Sequence, residues 1–179
     1  FFDIRVRFKN STLILELSVI YISIIFKVKN RIKEGNMSFD LSIEKGDIKI
    51  ERDGSIKTVS GNAKLRQDIV KILLTDLGDN KFHPKYGSSV GALQIGHYAD
   101  NTLMSLDIES SARNAVETLI ALQRSQAKRQ ALTPGEIIID ILNVRVDRDD
   151  ADPRMYNIFI SVLTQELTEI SSLVSVRVV

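Results

Sequence analysis

The sequence predicts an α+β protein in which helices separate two groups of strands. Three observations support this class: apolar and charged residues alternate near residue 50, amphipathic helical segments fill the middle of the chain, and three apolar segments rich in β-branched residues lie near the C terminus. The order of elements is β-β-α-α-α-β-β-β. Strands that follow one another, instead of alternating with helices, favour an antiparallel sheet. We therefore expect an N-terminal β-hairpin, a helical middle and a C-terminal antiparallel three-stranded sheet.

The first predicted elements are a hairpin and a helix. Residues 47–51 alternate apolar and charged side chains, Asp53-Gly54 is a hairpin-type turn, and residues 55–59 can return as the partner strand. The Ser-Gly-Asn sequence at 60–62 supplies side chains that can cap a helix. Gly78 is expected to end that helix. Its apolar positions follow three-and-four spacing and are Leu65, Ile69, Ile72, Leu73 and Leu77.

A distinctive turn, Pro84-x-Tyr86-Gly87-Ser88, follows the first helix. Pro84 stiffens the approach, Gly87 allows a backbone conformation that side chains disfavour, and Ser88 or Ser89 can cap a short helix that begins near Val90 and carries Leu93 and Ile95. Two interpretations of the turn stay open. It is either a structural connection between helices or a direct contact with a partner protein.

A long helix and three strands complete the prediction. Residues 102–130 contain no Pro or Gly, and Thr133-Pro134-Gly135 then breaks the chain. The apolar face of the long helix is predicted at Leu103, Leu106, Ile108, Ala112, Ala115, Val116, Leu119, Ile120 and Leu122. The strands are predicted at residues 136–147, 155–164 and 172–179. Asp140 and Asn143 indicate a local irregularity in the first of them.

The composition limits the chemistry that the chain can perform. It has 179 residues, a net charge of +1, no cysteine and two histidines, His83 and His97. The charge balance gives no indication of a nucleic-acid groove. The lack of cysteine excludes disulfides, thiolate catalysis and cysteine metal sites. We therefore expect a protein that acts through its surfaces, with no cofactor and with neither nucleic acid nor membrane as a partner.

No residue set forms a convincing catalytic or metal site. The acidic turn at 147–152 resembles a calcium loop only superficially, because the mid-loop Gly and closing Glu are missing. His83 has no acidic partner at a motif spacing. Glu44, Glu51 and Asp53 lie in or beside a hairpin with no apolar pocket that would raise a pKa. We therefore predict no catalytic residue, no metal ligand and no enzyme activity.

Residues 1–36 differ from the rest of the chain. The first methionine is Met37, and the apolar run at 13–26 contains a glutamate and is shorter than the roughly 20 residues of a membrane helix. Codons for residues 33–35 can read AAGGAGGG, a ribosome-binding sequence, just upstream of Met37. We therefore expect residues 1–36 to be a translated leader, with a genuine N-terminal arm as the alternative, and residues 37–179 to be the working domain.

Several motifs together carry a family resemblance. A hairpin and a Gly-Asn precede Leu65-x-Gln67-Asp68-Ile69, Leu73-Leu74-Thr75 and a glycine follow, and then come Pro84-x-Tyr86-Gly87-Ser88, a helical middle and C-terminal strands. In this pattern residues 37–179 resemble the baseplate wedge proteins that initiate the tail sheath in contractile phages and related injection machines. Two features differ. Asp79-Asn80 replaces an acidic-basic pair, and residues 122–135 lack the Glu-Pro-Arg motif of the family.

The resemblance implies a structural protein of the virion tail baseplate, assembled in the host cytoplasm and not an enzyme. Its implied partners are baseplate wedge proteins and the tail sheath protein, with tail tube or hub proteins as further candidates. The C-terminal sheet would offer an open edge to an extended arm of the first sheath subunit. We expect residues 136–146 and 155–163 to take part, without assigning the edge. The predicted partner-binding residues are Pro84, Tyr86, Gly87, Ser88, Ile139, Ile141, Ile158 and Ile160.

Two other functional classes stay open. The same fold resembles a bacterial stress anti-adaptor family, which would make the chain a regulatory binding module. Baseplate genes of this type have also carried lysozyme-related labels, which raises a cell-wall hydrolase as a third class. The missing acid/base pair places the hydrolase below the other two.

Overall fold

A computed structural model describes residues 38–44, 46–92 and 101–177. The expectations for residues 1–36, for Leu93 and Ile95, and for His97 lie outside these ranges. The described elements are β1 Asp40–Leu41, β2 Ile43–Glu44, β3 Asp47–Ile48, β4 Thr58–Val59, α1 Gly61–Leu74, a 3-10 turn Val90–Ala92, α2 Asn101–Gln126, β5 Ile138–Arg148, β6 Met155–Thr164 and β7 Glu169–Arg177. The predicted α+β class, with a hairpin, a helical middle and a C-terminal antiparallel sheet, is confirmed.

The N-terminal strands meet at a three-way junction of backbone hydrogen bonds. The amide of Ser42 donates to the carbonyl of Lys57 (2.8 Å), Lys57 donates to Lys49 (3.0 Å), and Lys49 donates back to Ser42 (2.8 Å). Around this junction β1 pairs with β4, β2 pairs with β3, and an isolated bridge joins Ile50 to Ile56. The predicted hairpin is present in outline, and it also engages residues 40–44, which the sequence did not assign. We call residues 38–59 the hairpin region.

Helix α1 buries four of its five predicted apolar positions, Leu65, Ile69, Ile72 and Leu73. The fifth, Leu77, lies beyond the helix and is exposed, because the chain leaves the helix at Thr75. The hydroxyl of Thr75 donates to the carbonyl of Lys71 (2.7 Å) and its backbone is extended. Gly78 therefore does not end the helix; it occupies a separate turn with φ +95°. Nor does Ser60 cap it, since its side chain makes no capping bond.

Helix α2 ends at Gln126, four residues before the predicted end. Its buried stripe lies at Met104, Ile108, Ser111, Ala112, Ala115, Val116, Leu119 and Gln123. Leu103 and Leu106 were predicted on this face but are exposed. The stripe follows helical spacing from Met104, so these two leucines point away from the core. The polar Gln123 closes the stripe, and its side chain hydrogen-bonds the backbone of Glu136 and Ile138 at the start of β5.

The C-terminal sheet has the strand order β5-β6-β7, and both pairs are antiparallel. β6 occupies the predicted residues, whereas β7 begins at Glu169, earlier than predicted. The register of β5 shifts between Ile138 and Asp140 and again between Ile141 and Asn143, which confirms the expected irregularity. Alternate residues of β6 are buried in the core that α1 and α2 share with the sheet: Tyr156, Ile158, Ile160, Val162 and Thr164. We call the opposite side of the sheet the open face.

Candidate partner-binding surfaces

Gly87 is fixed by its close approach to the end of α1. Its φ is +124°, and a Cβ placed there would lie 2.7 Å from the carbonyl oxygen of Thr75 and 2.8 Å from that of Asp76. The amide of Ser88 donates to Thr75 (2.9 Å), and the amide of Leu77 donates to the carbonyl of Ser88 (3.0 Å). Glycine is therefore required here by both conformation and space. Gly87 is buried, so it acts by positioning the turn.

Ser88 completes the end of one helix and starts the next turn. Its hydroxyl donates to the carbonyl of Leu73 (2.7 Å), and it accepts a long hydrogen bond from the amide of Val90 (3.4 Å). The predicted cap is thus present on the 3-10 turn. The hydroxyls of Ser89 and Ser111 are 2.8 Å apart and link the turn to α2. Buried Ser88 therefore has a structural role in joining α1 to the rest of the helical layer.

Pro84 and Tyr86 form the more accessible part of the motif. Pro84 is exposed, and its neighbour Phe82 is 91% exposed. Tyr86 packs against the core and is half-buried; burial raises the pKa of its phenol. A cleft of about 250 Å³ lies beside this ring and is lined by Asp40 and Lys71 among others. Pro84 and Phe82 are among the residues of this turn that a partner can reach, and contact through them stays a prediction.

The hairpin region is attached to α1 by polar side chains. The amide nitrogen of Gln67 donates to the carbonyl of Leu41 (2.7 Å), and its oxygen accepts from the amide of Ile43 (2.9 Å). Lys71 donates to Asp40 and also pairs with Asp68 at 2.8 Å. Burial raises the pKa of Asp40, but the hydrogen bond and charge of Lys71 outweigh it and hold that pKa below its usual value. The attachment is therefore partly ionic.

Glu136 is a buried carboxylate that sequence reasoning treated only as the start of a strand. It is 1% exposed, and it accepts hydrogen bonds from the hydroxyl of Ser38 (2.7 Å) and from the amide of Gly61 (2.9 Å). Lys64 lies 3.8 Å away. Glu136 thus caps α1 in place of Ser60 and ties the hairpin region to the loop before β5. Nothing in the local sequence marks this role, because its hydrogen-bond partners are 75 and 98 residues away.

The two edge strands of the C-terminal sheet differ. β5 has two register shifts, and Gln123 bonds its start through the amide of Ile138 (3.1 Å) and the carbonyl of Glu136 (2.7 Å). β7 pairs with β6 at nine consecutive positions without a shift. Within the described ranges, no backbone hydrogen bond links the outer edge of β7 to another segment. Among the described residues, β7 is therefore the regular edge strand whose outer side is unpaired.

The four isoleucines predicted from the strands occupy different environments. Ile139 lies at a register shift of β5 and is exposed, while Ile141 is partly buried against the core. Ile158 and Ile160 are fully buried on the central strand, which is paired on both sides. The two regions expected to take part, with the edge left unassigned, therefore differ in position. Residues 136–146 reach into the edge strand β5, whereas residues 155–163 lie in the central strand.

The open face carries an apolar centre flanked by charge. A hollow of about 410 Å³ is lined by Phe159, Ser171 and Leu173, with Arg145 at its rim. The guanidinium of Arg145 lies 4.8 Å from the centre of the Phe159 ring, a cation–π contact. Leu173 is 56% exposed. A partner strand beside β7 would therefore find an apolar side chain and a hollow next to it.

A second apolar surface lies on the hairpin region. Cross-strand partners share one face of a sheet, and the pairs are Ile43 with Ile48 and Ile50 with Ile56. All four are exposed. Glu44 and Lys49 form a 2.7 Å ion pair. Exposed apolar patches of this kind mark interaction surfaces in soluble proteins.

The acidic turn after β5 is organised by its own backbone. The carboxylate of Asp149 accepts hydrogen bonds from the amides of Ala151 (2.7 Å) and Asp152 (3.1 Å), which lower its pKa. Among the residues that the structure describes, no group of three or more His, Cys, Asp or Glu side chains is placed to hold a metal ion. In the same ranges no helix has the length and apolar character needed to cross a membrane.

Comparison with known proteins gives a partial structural likeness. No protein-family model matches the chain, and no curated protein sequence matches it. Among solved structures, it is similar to one described as "putative tail lysozyme" from Geobacter sulfurreducens, with a TM-score of 0.48 and 16% sequence identity. The match covers 65% of this chain and 89% of that chain.

Proposed function

We propose that the chain is a structural baseplate protein of a contractile tail, of the wedge type, which initiates the tail sheath. The motifs of residues 37–179 support this class. The observation that carries it is the contrast within the C-terminal sheet: one face is covered by helices, while the edge strand β7 is regular and unpaired within the described residues. Natural sheets usually guard such an edge, so an open one indicates a partner strand.

An extended arm of the first sheath subunit would add to β7. Its backbone would supply hydrogen bonds to the unpaired amide and carbonyl groups, and its alternate side chains would supply specificity. One of those side chains would lie beside Leu173, above the hollow lined by Phe159. This assignment moves the acceptor from the residues expected from the sequence, 136–146 and 155–163, to β7.

The motif turn would serve the baseplate side of the assembly. Gly87 and Ser88 hold α1 against the next turn, and that arrangement leaves Pro84 and Phe82 exposed at the surface. These two residues would contact wedge proteins, with tail tube or hub proteins as additional candidates. The predicted location is the virion tail baseplate, after assembly in the host cytoplasm.

The test is affinity capture with the tagged full chain from cells that produce the tail, followed by mass spectrometry. The key variant is Leu173→Lys, which places a charge in the middle of the β7 edge at an exposed position. Leu142→Lys is the matched control, because Leu142 is 47% exposed and lies at a register shift of β5. We expect wild type and the control to recover wedge and sheath proteins, and Leu173→Lys to recover wedge proteins without sheath.

The other classes predict different results. Equal recovery of sheath by all three forms would remove β7 as the acceptor. Recovery of a single regulatory protein, with no tail component, would favour the anti-adaptor class. Clearing of cell wall in a zymogram by the purified chain would favour a hydrolase and contradict the prediction that the protein is not an enzyme.

A further inference from the structure

The sequence of β7 is self-complementary when it is laid antiparallel to itself. Leu173 is the middle residue of Glu169–Arg177, and the acid and the base stand at equal distances from it. In an antiparallel pairing centred on Leu173, Glu169 of one strand lies opposite Arg177 of the other. Ser171 lies opposite Ser175 in the same way. The charges and sizes along this strand therefore match a second copy of the same strand.

The described structure gives this edge little protection against such pairing. Proteins blunt edge strands with bulges, prolines and charges along the strand. β5 has two register shifts and carries Asp140, Arg145 and Asp147. β7 has no shift and no proline, and its only charges are the two at its ends. The chain thus guards one edge of the sheet and leaves the other regular.

We propose that β7 binds β7 of a second copy of this chain, antiparallel and centred on Leu173, so that the two sheets become one continuous sheet. The two-fold symmetry of such an interface brings the same patch of both chains together, so each favourable pair occurs twice. Directly opposite side chains in antiparallel strands have Cβ atoms about 5 Å apart, which allows Glu169 and Arg177 to form ion pairs.

The side chains of Glu169 and Arg177 are both accessible to a second copy of the chain. Arg177 lies 3.7 Å from Asp152, and the two side chains are 61% and 40% exposed, respectively. Glu169 is exposed and accepts a hydrogen bond from Ser161 on β6. On the helix-facing side, the hydroxyl of Ser172 is buried without a hydrogen-bond partner in the structure. It would lie opposite Val174 of the second copy, whose apolar side chain leaves this hydroxyl as it is in the single chain.

This inference does not rest on the proposed function, because it concerns two identical chains in solution. The second copy and the sheath arm would compete, however, because the outer edge of β7 can pair with one added strand. A chain paired with its own copy would have no regular edge left for a sheath arm. Self-association is measured on the purified protein, whereas sheath capture is measured in producing cells, so either result can fail without the other.

The test is sedimentation velocity of the full chain over a wide concentration range, with charge reversals at the strand ends. We expect wild type to shift from monomer to dimer as concentration rises. Glu169→Arg and Arg177→Glu alone should each weaken the dimer about tenfold or more, because two attractive pairs become two repulsive ones. The double variant, and an equal mixture of the two single variants, should recover the dimer, since both arrangements restore opposite charges.

The matched control is Asp147→Arg, which makes the same charge change on the other edge strand and should leave the dimer unchanged. Circular dichroism of each variant checks that the fold is intact. A wild-type chain that stays monomeric at the highest reachable concentration would overturn the proposal. A dimer that is insensitive to both single reversals would do the same, because its interface would then lie elsewhere.

Discussion

The hairpin region and the C-terminal sheet use the same residue type in opposite ways. Both are antiparallel and both are rich in isoleucine. In the sheet, Ile158 and Ile160 are buried, whereas in the hairpin region Ile50 and Ile56 are exposed. The sheet strands are 9–11 residues long, and each strand of the hairpin region is two residues long. The composition of a strand therefore does not decide whether it contributes to the core.

The difference shows what holds each region in place. Long strands with a face against α1 and α2 are stabilised by apolar burial. Two-stranded pairs have little independent stability. The hairpin region instead depends on polar attachments from Gln67, Lys71 and Glu136 to its backbone and side chains. Its isoleucines remain at the surface, where a partner can cover them.

The largest expected difference between the regions is in the free energy of unfolding after an isoleucine in each is replaced by alanine. Ile158→Ala should lower the free energy of unfolding by about 2–5 kcal/mol, because it leaves a cavity beneath the central strand. Ile50→Ala should change it by less than about 0.5 kcal/mol, because Ile50 is 66% exposed. Guanidinium unfolding of both variants measures the contrast. Similar losses for the two would mean that the hairpin isoleucines are buried in the protein as it exists in solution.

The next effect concerns the buried carboxylate that joins the two regions. Glu136→Gln should cost about 2–4 kcal/mol, because the amide group places a donor against Ser38 or Gly61 and removes the charge near Lys64. Glu117→Gln, on the exposed side of α2, is the matched control and should be nearly neutral.

Hydrogen exchange distinguishes this attachment from a general loss of stability. Amides of the hairpin region should exchange faster in Glu136→Gln, while those of β6 should follow the global stability. Uniform acceleration across both regions would show that Glu136 stabilises the fold as a whole and does not specifically hold the hairpin region.

Sequence reasoning succeeded where a side-chain pattern repeats over many residues. The apolar segment from Met155 to Thr164 predicted β6, and the interruptions at Asp140 and Asn143 indicated the irregularity of β5. It failed where a single residue decides where a helix ends or where its buried stripe begins. Thr75 ends α1 before Leu77, and the apolar stripe of α2 begins at Met104 instead of at the neighbouring leucine.

The candidate surfaces were harder to predict because they depend on contacts between distant segments. Strand order, which decides that β7 is an open edge and Ile158 is not, is set by packing that no local pattern encodes. Likewise, position 87 needs glycine because the carbonyl groups of Thr75 and Asp76 lie beside it, a contact that the motif does not reveal. The motif indicated a constrained turn, and the structure supplied its reason.

The smallest expected effect is a dependence on pH that is confined to the hairpin region. The pKa of Asp40 is held below the usual aspartate value of about 3.9, since Lys71 outweighs the effect of burial. A lowered pKa in the folded state means that this ion pair stabilises the fold above the unfolded pKa, and that the contribution is lost as pH falls through the folded value. Asp40 is partly exposed, so the contribution is about 1 kcal/mol or less.

Asp40→Asn should therefore lower stability at neutral pH and reduce further loss on acidification below about pH 4. Urea midpoints measured across the acid range test this, with Asp150→Asn in the exposed turn after β5 as the control. As the pH is lowered, amides of the hairpin region should lose protection from hydrogen exchange before those of the sheet. If Asp40→Asn keeps the full acid sensitivity of the wild type, the ion pair with Lys71 does not hold the hairpin region, and Gln67 and Glu136 suffice for its attachment.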